Sequence, residues 1–274
     1  MKLKHWGIVC NPHVAKAVSC AENIIELIQE SGGILFPDEH LGKELSMKGY
    51  SLKDINTHAD IVVTVGGDGT ILYALQEIDK PLFGVNCGGM GFLCEVESKY
   101  ALSGLKKVFT GGYTVEERSK LKIVVDGKRL PDAVNELTVQ TGQIAKMLHL
   151  QIFVDDDLIE TMGADGVIVA TPTGSTSYAL SVGGPIMDPL VNAMIIAPLA
   201  AFKLSARPWI IPLEKTVQIA LLPKSKEPKI VIDGQFSTPV SIESKVLITG
   251  SERKVRFVRF GESFYQMVRL KLMR

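Results

Sequence analysis

Between residues 5 and 109, short apolar runs alternate with stretches whose apolar positions recur every three or four residues, the pattern of parallel strands joined by crossover helices. A first strand is predicted over 6–10. Ala21, Ile24, Ile25 and Ile28 then share one helical face, and the helix stops at Gly32 and Gly33, where glycine adopts the left-handed backbone that ends a helix. A β-branched run over 61–65 meets a glycine-rich turn at Gly66, and Ile71, Leu72 and Leu75 share a face just after it. Residues 82–85 form a further buried strand that also ends in a glycine-rich turn. Beyond Gly111 and Gly112 the pattern changes to short strands punctuated by turns: 121–125, the Asp126-Gly127 turn, then 148–154, 167–170, 216–221, 230–232 and 255–260. This predicts an α/β N-terminal domain with a parallel sheet (1–111) and a β-rich C-terminal domain (112–274). The closing run 264–272 reads as strand-like, and its spacing fits a return to the first domain or packing on a partner equally well.

Composition narrows the partners. The 274 residues suit two domains at about 150 residues each. Thirty Lys plus Arg are offset by thirty Asp plus Glu, so the chain lacks the basic surplus expected of a nucleic-acid or anionic-membrane binder. The most apolar window, 194–202, contains Pro198 and is too short to span a bilayer, and residues 1–12 lack an apolar signal core. Four cysteines, with no Cys-x-x-Cys pair, point to a reduced, cytoplasmic setting. The five histidines have no metal-ligand spacing, and Asp155-Asp156-Asp157, set between apolar pairs, reads as a hairpin turn, so no resident metal site is expected.

The first candidate for chemistry is Gly66-Gly67-Asp68-Gly69-Thr70, which follows a strand and opens a helix. Backbone amides and the positive end of a helix suit a phosphate there. A carboxylate in such a cradle repels phosphate unless it serves chemistry, and Asp68 fits a general base that takes a hydroxyl proton during phosphoryl transfer. The plain structural alternative is a helix cap, a position that favours Asp. Leu72 occupies the third glycine position of a dinucleotide fingerprint, no lysine stands where a P-loop needs one, and Gly-x-Ser-x-Gly and Asp-Phe-Gly are absent. A second turn, Gly88-Gly89-Met90-Gly91-Phe92, is expected at the same sheet edge, as a crevice wall or as a closely packed loop.

A second set of candidates lies downstream. Asn135-Glu136 pairs an amide with a carboxylate, able to read an adenine or ribose hydroxyls. Gly163-Ala164-Asp165-Gly166 precedes the strand 167–170, which runs into Thr171-Pro172-Thr173-Gly174-Ser175-Thr176-Ser177-Tyr178. That hydroxyl-rich loop suits hydrogen bonding to a nucleotide or sugar, with Tyr178 available for stacking. A solvated loop capping the next helix is the alternative.

Together these motifs resemble the NAD kinases, which phosphorylate the 2′-hydroxyl of the adenosine ribose of NAD to give NADP. The resemblance rests on Gly66-Gly67-Asp68-Gly69-Thr70, on Asn135-Glu136, and on residues 163–186, which end in Gly183-Gly184-Pro185-Ile186; Leu204-Ser205-Ala206-Arg207-Pro208 and Asp233-Gly234-Gln235 add to it. The first motif is shared with lipid kinases, sphingosine kinases and phosphofructokinases, whereas the third is specific. The resemblance implies an α/β domain and a β-rich domain with NAD held between them and completed by a neighbouring subunit of a homodimer or homotetramer. Asp68 matches the proton acceptor, Gly69 the phosphate cradle, and Asn135 and Glu136 the adenosine end. Asp165 matches an acidic residue near the nicotinamide. Thr173, Thr176, Ser177, Tyr178, Ala179, Leu180 and Ser181 match the substrate loop and Gln235 a late polar contact, while Tyr73 and Lys146 fall on ligand-contacting positions. Three departures stand out: Ala201-Phe202-Lys203 replaces a usual Pro-His, Gly163 a frequent arginine and Ser177 the commoner alanine. The donor is expected to be ATP or inorganic polyphosphate, carrying a divalent cation, Mg2+, that neutralises charge where no P-loop lysine is present. A lipid or sphingoid kinase and a non-catalytic NAD-binding sensor are the rival readings.

Overall fold

The computed structural model describes residues 3–89 and 91–272. The chain divides into two compact units, Met1–Glu117 with Val255–Arg274, and Arg118–Lys254. The strands Thr114–Val125 and Lys245–Arg259, paired with each other, run through the division.

In the first unit the strands Leu82–Asn86, Ile61–Gly66, His5–Cys10 and Ile34–Pro37 lie side by side in that order, all parallel. The three inner strands are buried along nearly their whole length, which is why they read as continuous apolar runs rather than alternating ones. Helix Ala15–Glu30 packs Ala17, Ala21, Ile24, Ile25 and Ile28 into this core, the stripe visible in the sequence, and Gly32 follows it at φ +77°. Helix Ala101–Phe109 adds Ala101, Leu105 and Val108. Phe257 pairs in parallel with Leu82, so the sheet gains a strand from the far end of the sequence.

The closing segment Phe264–Leu272 is an α-helix, not a strand. Phe264, Val268 and Leu272 recur at a spacing of four, the helical stripe, and a short apolar run does not separate the two periods clearly.

The second unit is a sandwich of antiparallel sheets. One contains, in order, Trp209–Pro212, Ala193–Leu199, Gly166–Ala170, Glu136–Thr141, Pro228–Ile232 and Phe236–Pro239. The other runs Asp157–Ala164, Leu148–Val154, Val217–Leu221 and then Lys245–Arg259. Leu137, Val139, Val167 and Val169 from the first sheet meet Leu150, Ile152, Ile219 and Ile248 from the second in one core. Each such side chain contributes about 1.5–3 kcal/mol on full burial. Ile168 and Ala170 point the other way and are covered by Ala179 and Met187. The period-two alternation of the strand 166–170 thus separates a structural face from one that carries the hydroxyl-rich segment. The aspartate run does form a turn: Asp155, at φ +52°, links two strands, accepts the Thr216 N–H and pairs with Lys215.

Candidate active site

Gly66 pairs with Asn86, so both glycine turns of the first unit leave the sheet at one edge. A Cβ at Gly66 would fall 2.2 Å from Thr70 Oγ1, the atom that accepts the Gly67 N–H. Helix Asp68–Ala74 begins immediately, with Gly67 rather than Asp68 as its cap residue. The Asp68 carboxylate turns to the second glycine turn: Phe92 N–H donates to Oδ2 at 2.6 Å and Leu93 N–H to Oδ1 at 3.1 Å. Gly91 lies so close that a Cβ there would approach Oδ1 to 2.5 Å. A carboxylate offers about four acceptor sites, so each oxygen of Asp68 retains capacity for a proton. Beside it the Cys94 thiol is pushed up, first by burial and then by the Asp68 charge.

In the second unit the pair Asn135-Glu136 is held by its backbone. Asp233 Oδ2 accepts the Val134 N–H at 2.7 Å, while Oδ1 accepts those of Asn135 at 2.7 Å and Glu136 at 3.0 Å. Burial raises the Asp233 carboxyl, against the pull of those three amides. On the other side, Thr171 N–H donates to Asn135 O at 2.8 Å, and Thr171 Oγ1 donates to Val134 O at 2.6 Å while accepting the Gly174 N–H. Gly174 is packed against this backbone, since a Cβ there would lie 2.1 Å from Asn135 O. The segment then forms a single turn of 3-10 helix, Thr173–Thr176, and the short helix Tyr178–Ser181.

Among the described residues, Asn135 Oδ1, Glu136 Oε2 and Thr173 Oγ1 are all buried and have no hydrogen-bond partner. Leaving such an atom unsatisfied costs about 1–3 kcal/mol. The three lie on two touching segments, an arrangement able to accept polar atoms from outside the chain.

The Glu136 carboxyl is raised from its ordinary value of 4.5 to about 7, by burial first and the Asp233 charge second, opposed by the Ser177 hydroxyl and Tyr178 amide. Between those two pH values the folded chain holds a proton that the unfolded chain has released, so stability falls as pH rises through the window. Glu136→Gln is therefore expected to stabilise the ligand-free protein above pH 7, by up to about 3 kcal/mol, with little change below pH 4.5. Thermal unfolding across pH 4–8 measures this.

Residues 6–113 match the family model of the ATP-NAD kinase N-terminal domain, and residues 134–260 that of the ATP-NAD kinase C-terminal domain. An NAD kinase of Methanothermobacter thermautotrophicus is 42% identical over 270 residues, covering 97% of this chain and 95% of the relative. The chain belongs to the NAD kinase family. An NAD kinase of Thermococcus kodakarensis is 37% identical, with 97% and 98% coverage. Among solved structures, an NAD kinase from Archaeoglobus fulgidus in complex with ATP superposes with TM-score 0.79 at 26% identity, covering 97% of this chain and 98% of that one. Yeast NADH kinase complexed with NADH superposes with TM-score 0.92 over all of this chain and 88% of its own; at 23% identity that likeness speaks to the fold. These relatives favour the NAD kinase reading over the lipid-kinase and sensor readings.

Seen within the family, the candidate residues fall into groups. Asn135, Glu136, Thr173, Thr176, Ser177 and Tyr178 lie on adjoining segments of the second unit. Ala179 has its methyl wholly buried, so it offers only backbone, while Leu180 is half-buried and Ser181 exposed. Gln235 is exposed in the hairpin turn just after Asp233. Asp68 and Gly69 open their helix in the first unit. Tyr73 lies about 140° around that helix from Asp68, near Asp38 and Glu39, and burial followed by those charges raises its phenol. Asp165 and Lys146 stand apart: Ala170 pairs with Glu136, whereas Asp165 O receives the Thr141 N–H, about 17 Å along the strand at 3.4 Å per residue. Asp233 had been visible only as part of Asp233-Gly234-Gln235, and its role as the clamp for residues 134–136 follows from the pairing of Ile232 with Leu137.

Proposed function

We propose that the chain is an ATP-dependent NAD kinase in which Asp68 takes the proton of the adenosine-ribose 2′-hydroxyl. As that proton moves to the carboxylate, the hydroxyl oxygen attacks the terminal phosphorus of the donor. The bond from phosphorus to the bridging oxygen breaks, and its electron pair leaves on ADP. The divalent cation, Mg2+ in this reading, arrives on the donor phosphates and offsets the charge of the leaving group. In the second unit, Asn135 Oδ1, Glu136 Oε2 and Thr173 Oγ1 receive adenosine and ribose donors; their burial without partners is the observation that carries the assignment. Ser177 and the backbone of 178–181 continue the same contact.

The same reading makes the active form a homodimer or homotetramer. Asp165 and Lys146 lie far from Glu136 on their own sheet, at an end where Ile144, Phe202 and Leu204 are 97%, 83% and 91% exposed. Phe202 N–H donates to Gly163 O, two residues before Asp165, and Leu148, two residues after Lys146, pairs with Ala164. A second copy covers that apolar end and brings Asp165 and Lys146 to the nicotinamide side of its neighbour's NAD. Among the described residues no helix is long and apolar enough to cross a membrane, and the four cysteines are free, in keeping with a cytoplasmic enzyme.

A coupled NADP-forming assay tests the activity and the donor together. NAD with ATP and Mg2+ is expected to give NADP, and substituting inorganic polyphosphate decides whether the donor range is wider.

A further inference from the structure

The returning segment of the first unit carries two cations to the turn that holds Asp68. Lys271, half-buried on the helix Phe264–Leu272, donates its ammonium to the Gly91 carbonyl and stands 5.2 Å from the Phe92 ring centroid. Arg259, 7% exposed, donates Nη1 to the Leu93 carbonyl at 3.1 Å and to Glu95 Oε2 at 3.0 Å. The Gly91 carbonyl and the Phe92 N–H belong to one planar peptide unit, in which they point in opposite directions. One end of that unit is held by Lys271 and the other by Asp68 Oδ2 at 2.6 Å. Arg259 fixes the next residue, whose N–H holds Oδ1.

We infer that Lys271 is a positioning residue for the phosphoryl transfer: it anchors the peptide between Gly91 and Phe92, and through it the carboxylate of Asp68, with Arg259 as the second anchor. An ammonium on the carbonyl fixes the plane and also polarises the N–H, which strengthens its bond to the carboxylate. Without it the turn swings on its glycines, and Asp68 loses the orientation that proton abstraction requires. Lys271 lies beyond residues 6–113 and 134–260, the segments that match the family models. The inference rests on Asp68 being the proton acceptor.

The test uses the full chain with Lys271→Met, Lys271→Arg and Asp68→Asn, reading amide hydrogen exchange at Phe92 and Leu93 together with kcat and KM for NAD. Lys271→Met is expected to speed exchange at Phe92 about tenfold, to lower kcat about tenfold and to leave KM within about twofold; Lys271→Arg restores most of both. Unchanged exchange overturns the inference. So does faster exchange with full kcat, which would leave Lys271 a purely structural role, or a raised KM at unchanged kcat, which would make it a ligand contact. Full turnover in Asp68→Asn overturns the proton-acceptor reading and with it the catalytic consequence drawn here. An impaired Asp68→Asn beside a normal Lys271→Met defeats the inference alone.

Discussion

Asp68→Asn is expected to lower kcat by about a hundred- to ten-thousandfold, the range lost when a positioned general base is removed, with KM for NAD little changed. The substitution keeps size and hydrogen-bonding shape but cannot take a proton. It is not wholly isosteric here, because each carboxylate oxygen accepts a different backbone N–H, from Phe92 and from Leu93. An amide accepts only one of them and turns its own NH2 toward the other. That costs about 1 kcal/mol, or about 2–4 °C in Tm for a chain of this size. The variant should therefore melt slightly early, remain folded at assay temperature and be nearly inactive. Near-normal kcat in a folded Asp68→Asn would place the base elsewhere.

The largest effect on stability is expected at Asp233. Its carboxylate accepts three consecutive amides, those of Val134, Asn135 and Glu136. Lys120, whose ammonium is pushed down by burial, draws support from Asp132 and Asp233. Asp233→Ala leaves three N–H groups without this acceptor and removes one counter-charge, so a loss of about 3–5 kcal/mol is expected, since such effects are not additive. Asp233→Asn can place its oxygen on the Asn135 and Glu136 amides and forfeit only that of Val134, so it should fall between. The effect should extend to NAD, with KM rising in the order wild type, Asn, Ala, because Asn135 Oδ1 and Glu136 Oε2 are aimed by the backbone that Asp233 holds. Urea unfolding and NAD saturation curves read the two effects separately. An alanine variant as stable as the wild type would remove Asp233 from the site.

These two residues also show what the sequence makes legible. Asp68 is visible because a glycine-rich turn between a β-branched run and a helical stripe is a local pattern, and its carboxylate is out of place there unless it has a use. The strand 167–170 and the hydroxyl-rich segment after it are local patterns too. Asp233 is different, since its function depends on the pairing of 228–232 with 136–141, which nothing near Asp233 announces. The Lys271 contact to Gly91 joins positions 180 residues apart, and the helix that carries it reads as a strand because nine residues with a few apolar positions fit either period. Asp165 is close to the motif in sequence but lies beyond the far end of the strand from Glu136, since five residues of extended chain separate more than they connect.

The reaction is defined by one bond, from phosphorus to the 2′-oxygen of the adenosine ribose. Phosphorus NMR of the product formed from NAD, ATP and Mg2+ observes that bond directly. A new phosphomonoester resonance coupled to the 2′ proton of the adenosine ribose is expected, formed by the wild type and nearly absent with Asp68→Asn. A folded wild-type protein that leaves NAD unphosphorylated, or that phosphorylates a different hydroxyl, would contradict it.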